Sequence, residues 1–535
     1  METKVAETSN AEAISALRAE NEALKAEYAA LKAEHAELSQ KVDWLMEQLR
    51  LHRQKRFGAS SEKTEEDGLE QLSLLFNETE VYAEQEKTKP VAVAAHMRNR
   101  KSGSVKDIVP DNIPVEVVEH RLSEEELSCP ICGTEMVEIG KEVRQTLEIR
   151  PAQVYLREDW YYTYACRNCQ TNGTETPVAK VPKEPALIPG GFASASAVAH
   201  IATQKFVMGS PLYRQEQELK RQGVGLTRQT MSNWLMRCEE DYLRPVYEEL
   251  HRQLVRHEVL HADETTLQVL REPGKKPQSK SYMWLYRTSG DAEHPIVLYE
   301  YQPDRKKEHP KEFLAGFRGY LHTDGYSGYH DLPEDITVVG CWAHARRYFD
   351  EAVKSLPKGK QSGSSAATGL AWCTKLFQEE AKLVELPPEE RYKKRLELEK
   401  PVLDALFAWA ETRQAAPKSA LGHALHYLKE QRPWLLAYLK DGRLELSNNR
   451  AERSIKPFVI DRKNFLFANT PGGAQSSAVI FSLIETAKEN GLDPYHYLLH
   501  VLKTAPTLDR TKDGWVAPLL PANAPDDCRV PQLIS

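Results

Sequence analysis

The N-terminal part of the chain carries apolar side chains with a seven-residue period. Leucine occurs at this spacing at Leu17, Leu24, Leu31, Leu38 and Leu45. With leucine at the d position, Asn21 stands at an a position, and oppositely charged g and e positions form the pairs Glu20–Lys25 and Glu27–Lys32. One Asn at a and complementary g–e charges are typical of a parallel two-stranded coiled coil. The pattern predicts such a coil over 11–55, with a lone amphipathic helix packed against its own protein as the alternative.

The pattern changes three times before residue 255. Residues 56–115 hold no long periodic run, and we interpret them as a linker with one short acidic helix. Residues 116–185 contain short runs rich in aromatic side chains, which indicate small strands. Residues 190–250 are helical in pattern, with Gly223 in a turn and Thr227 as the expected N-cap of the next helix. This order predicts a helix-turn-helix, although any αα-hairpin has the same outline.

Residues 255–356 have the pattern of an α/β domain. Strand-like runs are predicted at 259–269, 282–286, 296–299, 319–323 and 336–339, with helices after Lys306 and Trp342. The early runs indicate hairpins and the later ones a crossover. Residues 357–445 begin with a Gly/Ser-rich break and then show only helical spacing. Residues 446–470 return to the α/β domain as a helix, and 471–535 form a C-terminal helical segment, with a helical piece over 479–502, and a tail.

Composition narrows the class of protein. The chain has 535 residues, more than one hydrophobic core usually holds, so a multidomain α/β protein is expected. Charged residues make up 28%, and no run of about 18 apolar residues occurs, which argues against a membrane-spanning helix. The first residues do not have the pattern of a signal peptide, so we expect a cytoplasmic protein. The net charge of −7 argues against a uniformly basic surface, but basic patches occur at 50–56 and 98–106.

Eight cysteines in a chain of this length do not make a disulfide framework. Four of them form two CxxC pairs, Cys129 with Cys132 and Cys166 with Cys169. Two such pairs place four sulfurs around one ion, which is the pattern of a structural zinc site. Redox-active pairs are the alternative, but two matched pairs beside short strands favour zinc. The ion is expected to stabilise the folded domain at 116–185.

Three acidic residues stand where a carboxylate could meet a metal ion. Asp263 is flanked by apolar residues in a predicted strand, Asp324 ends another, and Glu452 lies in the first turns of a helix that Ser447 or Asn448 could cap. A carboxylate in a half-buried strand needs a partner, and hard cations supply one through oxygen ligands. The chain has 78 acidic residues, so spacing alone does not select these three from surface acids.

Several stretches resemble the transposases of insertion-sequence family 66. They are HADET (261–265), HTDGY (322–326), GCWAHARRYF (340–349), SNNRAERSIKP (447–457), RFGASSEK (56–63), the two cysteine pairs, SPLYRQEQELKRQGVGLTRQTMSNW (210–234) and SLIETAKENGLDPYHYL (482–498). The resemblance runs in order from about residue 14 to residue 502 and covers nearly the whole chain.

The resemblance implies an RNase H-like core whose two aspartates and one glutamate hold catalytic Mg²⁺ or Mn²⁺. Matched residue by residue, these are Asp263, Asp324 and Glu452, and 357–445 becomes an all-helical insertion before the helix with the glutamate. Glu264, next to Asp263, alternates to the other strand face and is not expected to be a ligand. The resemblance also implies DNA transposition: binding of double-stranded element ends, hydrolysis that frees a 3′-hydroxyl, and attack of that hydroxyl on target DNA.

The same interpretation assigns partners and DNA contacts. The coil would join two or more copies of the chain, and family members are usually encoded beside two short accessory proteins. Candidate DNA contacts are Arg228, Gln229, His344, Arg346 and Arg347. For the last three, the alternative is a satisfied histidine on a solvated helix face. A second zinc site on Cys341 and His344 lacks two further ligands in the sequence.

Two other functions remain alternatives at this point. One is a DNA-binding regulator built from the zinc domain and the helix-turn-helix, with an inactive nuclease fold. The other is a structure-specific nuclease that cuts DNA and does not join strands. The three acids favour an enzyme over a regulator, and the coil with two DNA-binding modules favours the pairing of two DNA ends.

Overall fold

The computed structural model describes residues 154–165, 178–180 and 182–531, together with seven helical positions between 22 and 46. Most of the predicted coil, the linker and the four cysteines of the predicted zinc site lie outside the described residues. In the described part, no helix is long and apolar enough to cross a membrane. The strands of the zinc-domain region are β1 (Thr163–Ala165) and β2 (Val178–Lys180), which pair antiparallel. The aromatic run 160–164 is therefore a strand only at its end.

Helices precede the large sheet. They are α1 (Ala195–Phe206), α2 (Leu212–Arg221), α3 (Arg228–Cys238) and, after a π-helical turn, α4 (Arg244–Leu254). Gly223 has a φ of +83° in the turn between α2 and α3, a conformation that glycine adopts without strain. The Thr227 hydroxyl accepts a 3.2 Å hydrogen bond from the Thr230 N–H, which confirms the predicted N-cap.

The described residues contain one five-stranded sheet in the order β5-β4-β3-β6-β7. Its strands are β3 (Val259–Gln268), β4 (Lys280–Thr288), β5 (Val297–Gln302), β6 (Gly319–His322) and β7 (Ile336–Val339). Strands β3, β4 and β5 are antiparallel neighbours, whereas β6 and β7 run parallel to β3. All five strands were predicted. The chain crosses from β5 to β6 through the short helix α5 (Glu308–Phe313).

Helices separate β7 from the last part of the fold. They are α6 (Trp342–Ser355), α7 (Ser365–Ala381), α8 (Pro388–Lys394), α9 (Lys400–Glu411), α10 (Ala420–Glu430) and α11 (Arg432–Leu435). Their apolar side chains share one core with the sheet, in which Trp342 and Val339 pack with Leu403 and Phe407. Within the helices, the buried guanidinium of Arg395 binds the Glu380 carboxylate and three backbone carbonyls.

Three long helices complete the fold: α12 (Asn449–Phe465), α13 (Pro471–Glu489) and α14 (Pro494–Thr504). The stretch 479–502, predicted to be helical, forms the end of α13 and most of α14, with a break where Gly491 adopts a φ of +70° and Asp493 caps a new helix before Pro494. Helix α13 covers the free edge of β5. The hydroxyls of Ser482 and Thr486 accept hydrogen bonds of 2.7 and 3.0 Å from edge N–H groups of β5. Such cover protects a sheet edge from pairing with other chains.

Candidate active site

The two aspartates occupy equivalent positions relative to two neighbouring parallel strands, since Asp263 lies in β3 and Asp324 follows the last residue of β6 by two positions. His261 of β3 is paired in register with His322 of β6, and each histidine stands two residues before an aspartate. Because side chains alternate along a strand, Asp263 projects from the same sheet face as His261. The two fully buried imidazole rings stack with centroids 4.4 Å apart. The repeated His-x-Asp pattern thus brings Asp324 near enough to Asp263 for its charge to raise the pKa of that carboxyl.

Helix α12 brings the third acid to this face. Asn448, at the N-cap position, is completely buried and does not cap the helix with its side chain. Its amide donates a 2.8 Å hydrogen bond to the Ala262 carbonyl, and its oxygen lies 3.0 Å from His261 Nδ1. This anchor fixes the start of α12 against β3, one turn before Glu452. Ser447 or Asn448 was predicted to cap this helix, but the side chain of Asn448 bonds to β3 instead.

The electrostatics of the site favour a cation. The pKa of Asp263 is raised well above its usual value, first because burial desolvates the carboxyl and then because Glu264, Asp324 and Glu452 lie nearby. Glu452 Oε1 is buried and has no hydrogen-bond partner among the described residues. Repelling carboxylates with a spare oxygen fit divalent cations, which need oxygen ligands. The donor atoms of the three acids do not all lie within 4.8 Å of one another, so they do not form one compact ligand cluster in the described structure.

Glu264 lies on the opposite sheet face, as its position predicts, and its side chain is 1% exposed. Its carboxylate accepts a 2.7 Å hydrogen bond from the Tyr329 hydroxyl and binds the Arg305 guanidinium. Arg305 stacks over the Tyr326 ring and stands 3.9 Å from Asp324 Oδ2. This arginine, absent from the sequence-based site, therefore connects Glu264 to the edge of the acidic cluster.

A hydrogen bond from the helical segment 357–445 holds the loop that follows β6 at Asp324. The Tyr427 hydroxyl of α10 donates a 3.0 Å hydrogen bond to the Asp324 carbonyl, and the Asp324 carboxylate accepts one of 2.9 Å from the Tyr326 N–H. Gly325 has a φ of +98°, and a Cβ there would stand 3.1 Å from Gln431 Oε1. Only glycine fits both the backbone conformation and the close approach of α10.

The three residues of α6 that were predicted to contact DNA, His344, Arg346 and Arg347, have different surroundings. His344 Nδ1 lies 3.7 Å from Glu452 Oε1, and Arg347 lies 3.3 Å from Glu452 Oε2. Both residues therefore join the acids. Arg346 lies roughly 200° around the axis of α6 from His344, and its charge acts on the buried Cys373 of α7. Helix geometry thus places Arg346 on another side of α6 from His344.

The other predicted DNA contacts stand apart from the acids. Arg228 and Gln229 are exposed in the first turn of α3, whose opposite side buries Met231 and Trp234. The Gln229 amide donates a 3.0 Å hydrogen bond to the exposed Asn233 side chain one turn further along α3. The exposed side of α3 is therefore polar over its first two turns, and Met236 is exposed near its end.

The described residues define an acidic, half-buried site on an α/β sheet. A segment with the outline of a helix-turn-helix precedes this sheet in the chain. Comparison with known families then gives the group of proteins. Residues 190–476 match the family described as "Transposase IS66 family", and 482–521 match the "IS66 C-terminal element". Residues 126–170 match the "zinc-finger binding domain of transposase IS66", and 44–118 match "Transposase C of IS166 homeodomain". The chain belongs to the IS66 family of transposases.

The chain is also similar over most of its length to proteins of Sinorhizobium fredii (strain NBRC 101917 / NGR234). "Uncharacterized protein y4hP" is 29% identical over 485 residues, which cover 87% of this chain and 85% of the relative. "Uncharacterized protein y4qI" is 32% identical, covering 75% and 74%. "Uncharacterized protein y4jD" is 31% identical, covering 71% and 75%. The match to the zinc-finger family includes all four cysteines of the predicted zinc site.

Proposed function

We propose that this transposase is of the DDE type, with Asp263, Asp324 and Glu452 as ligands of Mg²⁺ or Mn²⁺ in an RNase H-like core. The observation that carries the proposal is the register of His261 with His322, each two residues before an aspartate, beside the point where Asn448 anchors α12 to β3. The site lies near the carboxyl end of β6, where open α/β sheets bind their ligands. On the same grounds we propose that the protein acts on DNA in the cytoplasm.

The topology supports the RNase H-like interpretation. An antiparallel hairpin series, β3-β4-β5, is followed by two strands parallel to β3 on its other side. Helix α12 then returns to the sheet after the helical segment that the sequence predicted as an insertion at 357–445. The acids come from β3, from the loop directly after β6 and from this returning helix.

The chain's own residues have distinct parts in the proposed chemistry. Divalent ions held by the three carboxylates would activate the attacking oxygen and stabilise the leaving oxygen of a phosphodiester. The sheet fixes Asp263 and Asp324, and the Asn448 anchor fixes Glu452. Arg347 places positive charge beside Glu452, where it could contact the DNA backbone.

Two successive displacements at phosphorus would complete transposition. In the first, water attacks the phosphodiester at the element end and the 3′-oxygen leaves as a hydroxyl. In the second, that 3′-hydroxyl attacks a target phosphodiester, and the target strand's 3′-oxygen leaves. We further propose that α3 and the zinc domain bind the element ends, and that the coil over 11–55 joins two copies so that two ends are paired. Adding the accessory proteins to an assay of nicking and joining tests whether they take part in transposition.

The test is 3′-end nicking and joining of a labelled element-end duplex, taken from the DNA that flanks the gene. Asp263→Ala, Asp324→Ala and Glu452→Ala are each expected to lower both reactions by roughly 10³-fold or more, because the three act as one unit. DNA binding should persist, since phosphate contacts and base contacts lie mainly on other segments. The control is Glu334→Ala, an exposed acid between β6 and β7, which should keep full activity.

The outcomes separate the alternatives. A DNA-binding regulator would bind the duplex and neither nick nor join it. A nuclease would nick and never join. Strong residual nicking by Glu452→Ala would place the third carboxylate elsewhere, and Glu445, which pairs with Arg450 at 2.7 Å, would be the next residue to replace.

A further inference from the structure

A second kind of ligand cluster adjoins the acids. Among the described residues, Cys341, His344 and Glu452 form the one group of three potential metal ligands whose donor atoms lie within 4.8 Å of one another. Cys341 is the N-cap of α6 and His344 lies in its first turn, so both side chains face the start of α12. Sequence spacing supplied only the cysteine and the histidine, and the fold supplies the third ligand from more than a hundred residues away.

The thiol lies in surroundings that suit a bound thiolate. The Asn448 N–H donates a 3.1 Å hydrogen bond to Cys341 Sγ, and the N–H groups of Ala343 and His344 also point to the sulfur. A coordinating cation removes the proton of a thiol outright, and the N–H groups directed at Cys341 Sγ would then stabilise the charge of the thiolate.

The other two donor atoms are also available. His344 Nδ1 and Glu452 Oε1 are both buried, and neither has a hydrogen-bond partner among the described residues. They lie 3.7 Å apart, whereas ligand atoms around one tetrahedral zinc ion lie roughly 3.3–3.6 Å apart. Arg347 binds the other carboxylate oxygen, Oε2, and leaves Oε1 facing the imidazole.

We propose that Cys341, His344 and Glu452 form a binding site for a soft divalent transition metal of the zinc class, and that this metal competes with magnesium for Glu452. Thiolate and imidazole select zinc and its neighbours, whereas magnesium prefers carboxylates and water. Three protein ligands leave one position open on a tetrahedral ion. The competition with magnesium rests on the proposed function, but the metal site itself does not.

The test is titration of the full-length chain, its zinc-binding domain already loaded, with Co²⁺. A cobalt–thiolate bond gives a charge-transfer band that cobalt on carboxylates alone does not give. We expect one further equivalent of Co²⁺ with the band of a single thiolate, displaced by Zn²⁺. Cys341→Ser should abolish this band. The matched control is Cys373→Ser, a buried cysteine of α7 outside the cluster, which should retain it.

Two more variants keep the test decisive if Cys341→Ser does not fold. His344→Ala and Glu452→Gln should each weaken cobalt binding by more than the roughly 10–100-fold that loss of an outer-shell partner costs. No thiolate band in the wild-type chain, or an unchanged band in Cys341→Ser, would overturn the proposal.

Activity assays separate this inference from the proposed function. Asp263→Ala should lose nicking and keep the cobalt band. Zn²⁺ should inhibit magnesium-driven nicking by the wild-type chain, and the inhibition should be weaker in Cys341→Ser relative to the variant's own zinc-free rate. A band without any wild-type nicking would reject the proposed function and uphold the metal site. Nicking without a band would reject the metal site alone.

Discussion

The Tyr427 hydroxyl donates a hydrogen bond of 3.0 Å to the backbone carbonyl of Asp324. The donor belongs to α10 and the acceptor to the loop after β6, so the bond joins the helical segment 357–445 to the acidic cluster. Gly325, beside the acceptor, permits α10 to approach. The helical segment therefore supports the position of one proposed metal ligand without supplying a ligand itself.

Tyr427→Phe removes this single hydrogen bond and leaves the ring in place. We expect it to lower the free energy of unfolding by roughly 1 kcal/mol, the net worth of one such bond, and to reduce nicking measurably. Chemical denaturation and the nicking assay measure the two effects. Tyr392→Phe, at an exposed tyrosine of α8, is the control and should match the wild type in both. Wild-type nicking by Tyr427→Phe would show that the loop holds its position without α10.

Asn448→Ala should be more damaging, because it leaves His261 Nδ1 and the Ala262 carbonyl without partners in a fully buried place. Two such losses cost roughly 2–4 kcal/mol together. Since the anchor also positions Glu452, the magnesium concentration for half-maximal nicking should rise as well. The control is Asn449→Ala, which makes the same substitution at the next residue, a half-buried asparagine. A loss of stability with an unchanged magnesium requirement would assign Asn448 a purely structural role.

Glu264→Ala should affect the site indirectly. Without Glu264, the Arg305 guanidinium is free to pair with Asp324, from which it now stands 3.9 Å away, and so to compete with a metal ion. We expect a higher magnesium requirement, largely reversed in the double variant Glu264→Ala/Arg305→Ala, and a double-mutant cycle measures this coupling. Strict additivity of the two changes would rule out the competition.

Glu300 gives the fold a pH dependence separate from the acids of the site. Burial raises the pKa of Glu300 to about 8 from 4.5, while one oxygen accepts a 2.8 Å hydrogen bond from Gln302. The folded chain thus holds this proton more tightly than the unfolded chain does, so Glu300 lowers stability increasingly as pH rises from about 4.5 to about 8. Glu300→Gln should therefore gain stability relative to the wild type over this window and level off above it.

Urea unfolding at several pH values across and above that window measures the effect. Glu308→Gln, at an exposed glutamate, should show no such trend. A constant difference between Glu300→Gln and the wild type at every pH would mean that Glu300 titrates alike in the folded and unfolded chains.

Local patterns were enough to predict the sheet and part of the site. The alternating β-branched run at 336–339 became β7 with the same bounds, and Thr227 caps α3 as expected. The repeat of histidine two residues before each aspartate also contained the signal that the two strands are neighbours in register. The coil and the zinc domain stay predictions from spacing and from the family matches.

Long-range contacts account for what the sequence did not show. Asn448 bonds to His261, which is 187 residues away, so its neighbours along the chain favoured a helix cap. Arg305 lies in an exposed-looking run of charges, and only the fold turns it towards Asp324.

The core that Trp342 and Val339 share with Leu403 and Phe407 has a consequence for how this protein can change in evolution. Helices α7 to α11 cannot be deleted without loss, because deletion would expose apolar surface on α6 and on the sheet. Shortened descendants would need compensating polar substitutions on both surfaces at once. Growth of this segment in the turns around 358–363 and 411–414 is the easier route, since most residues of those turns are exposed.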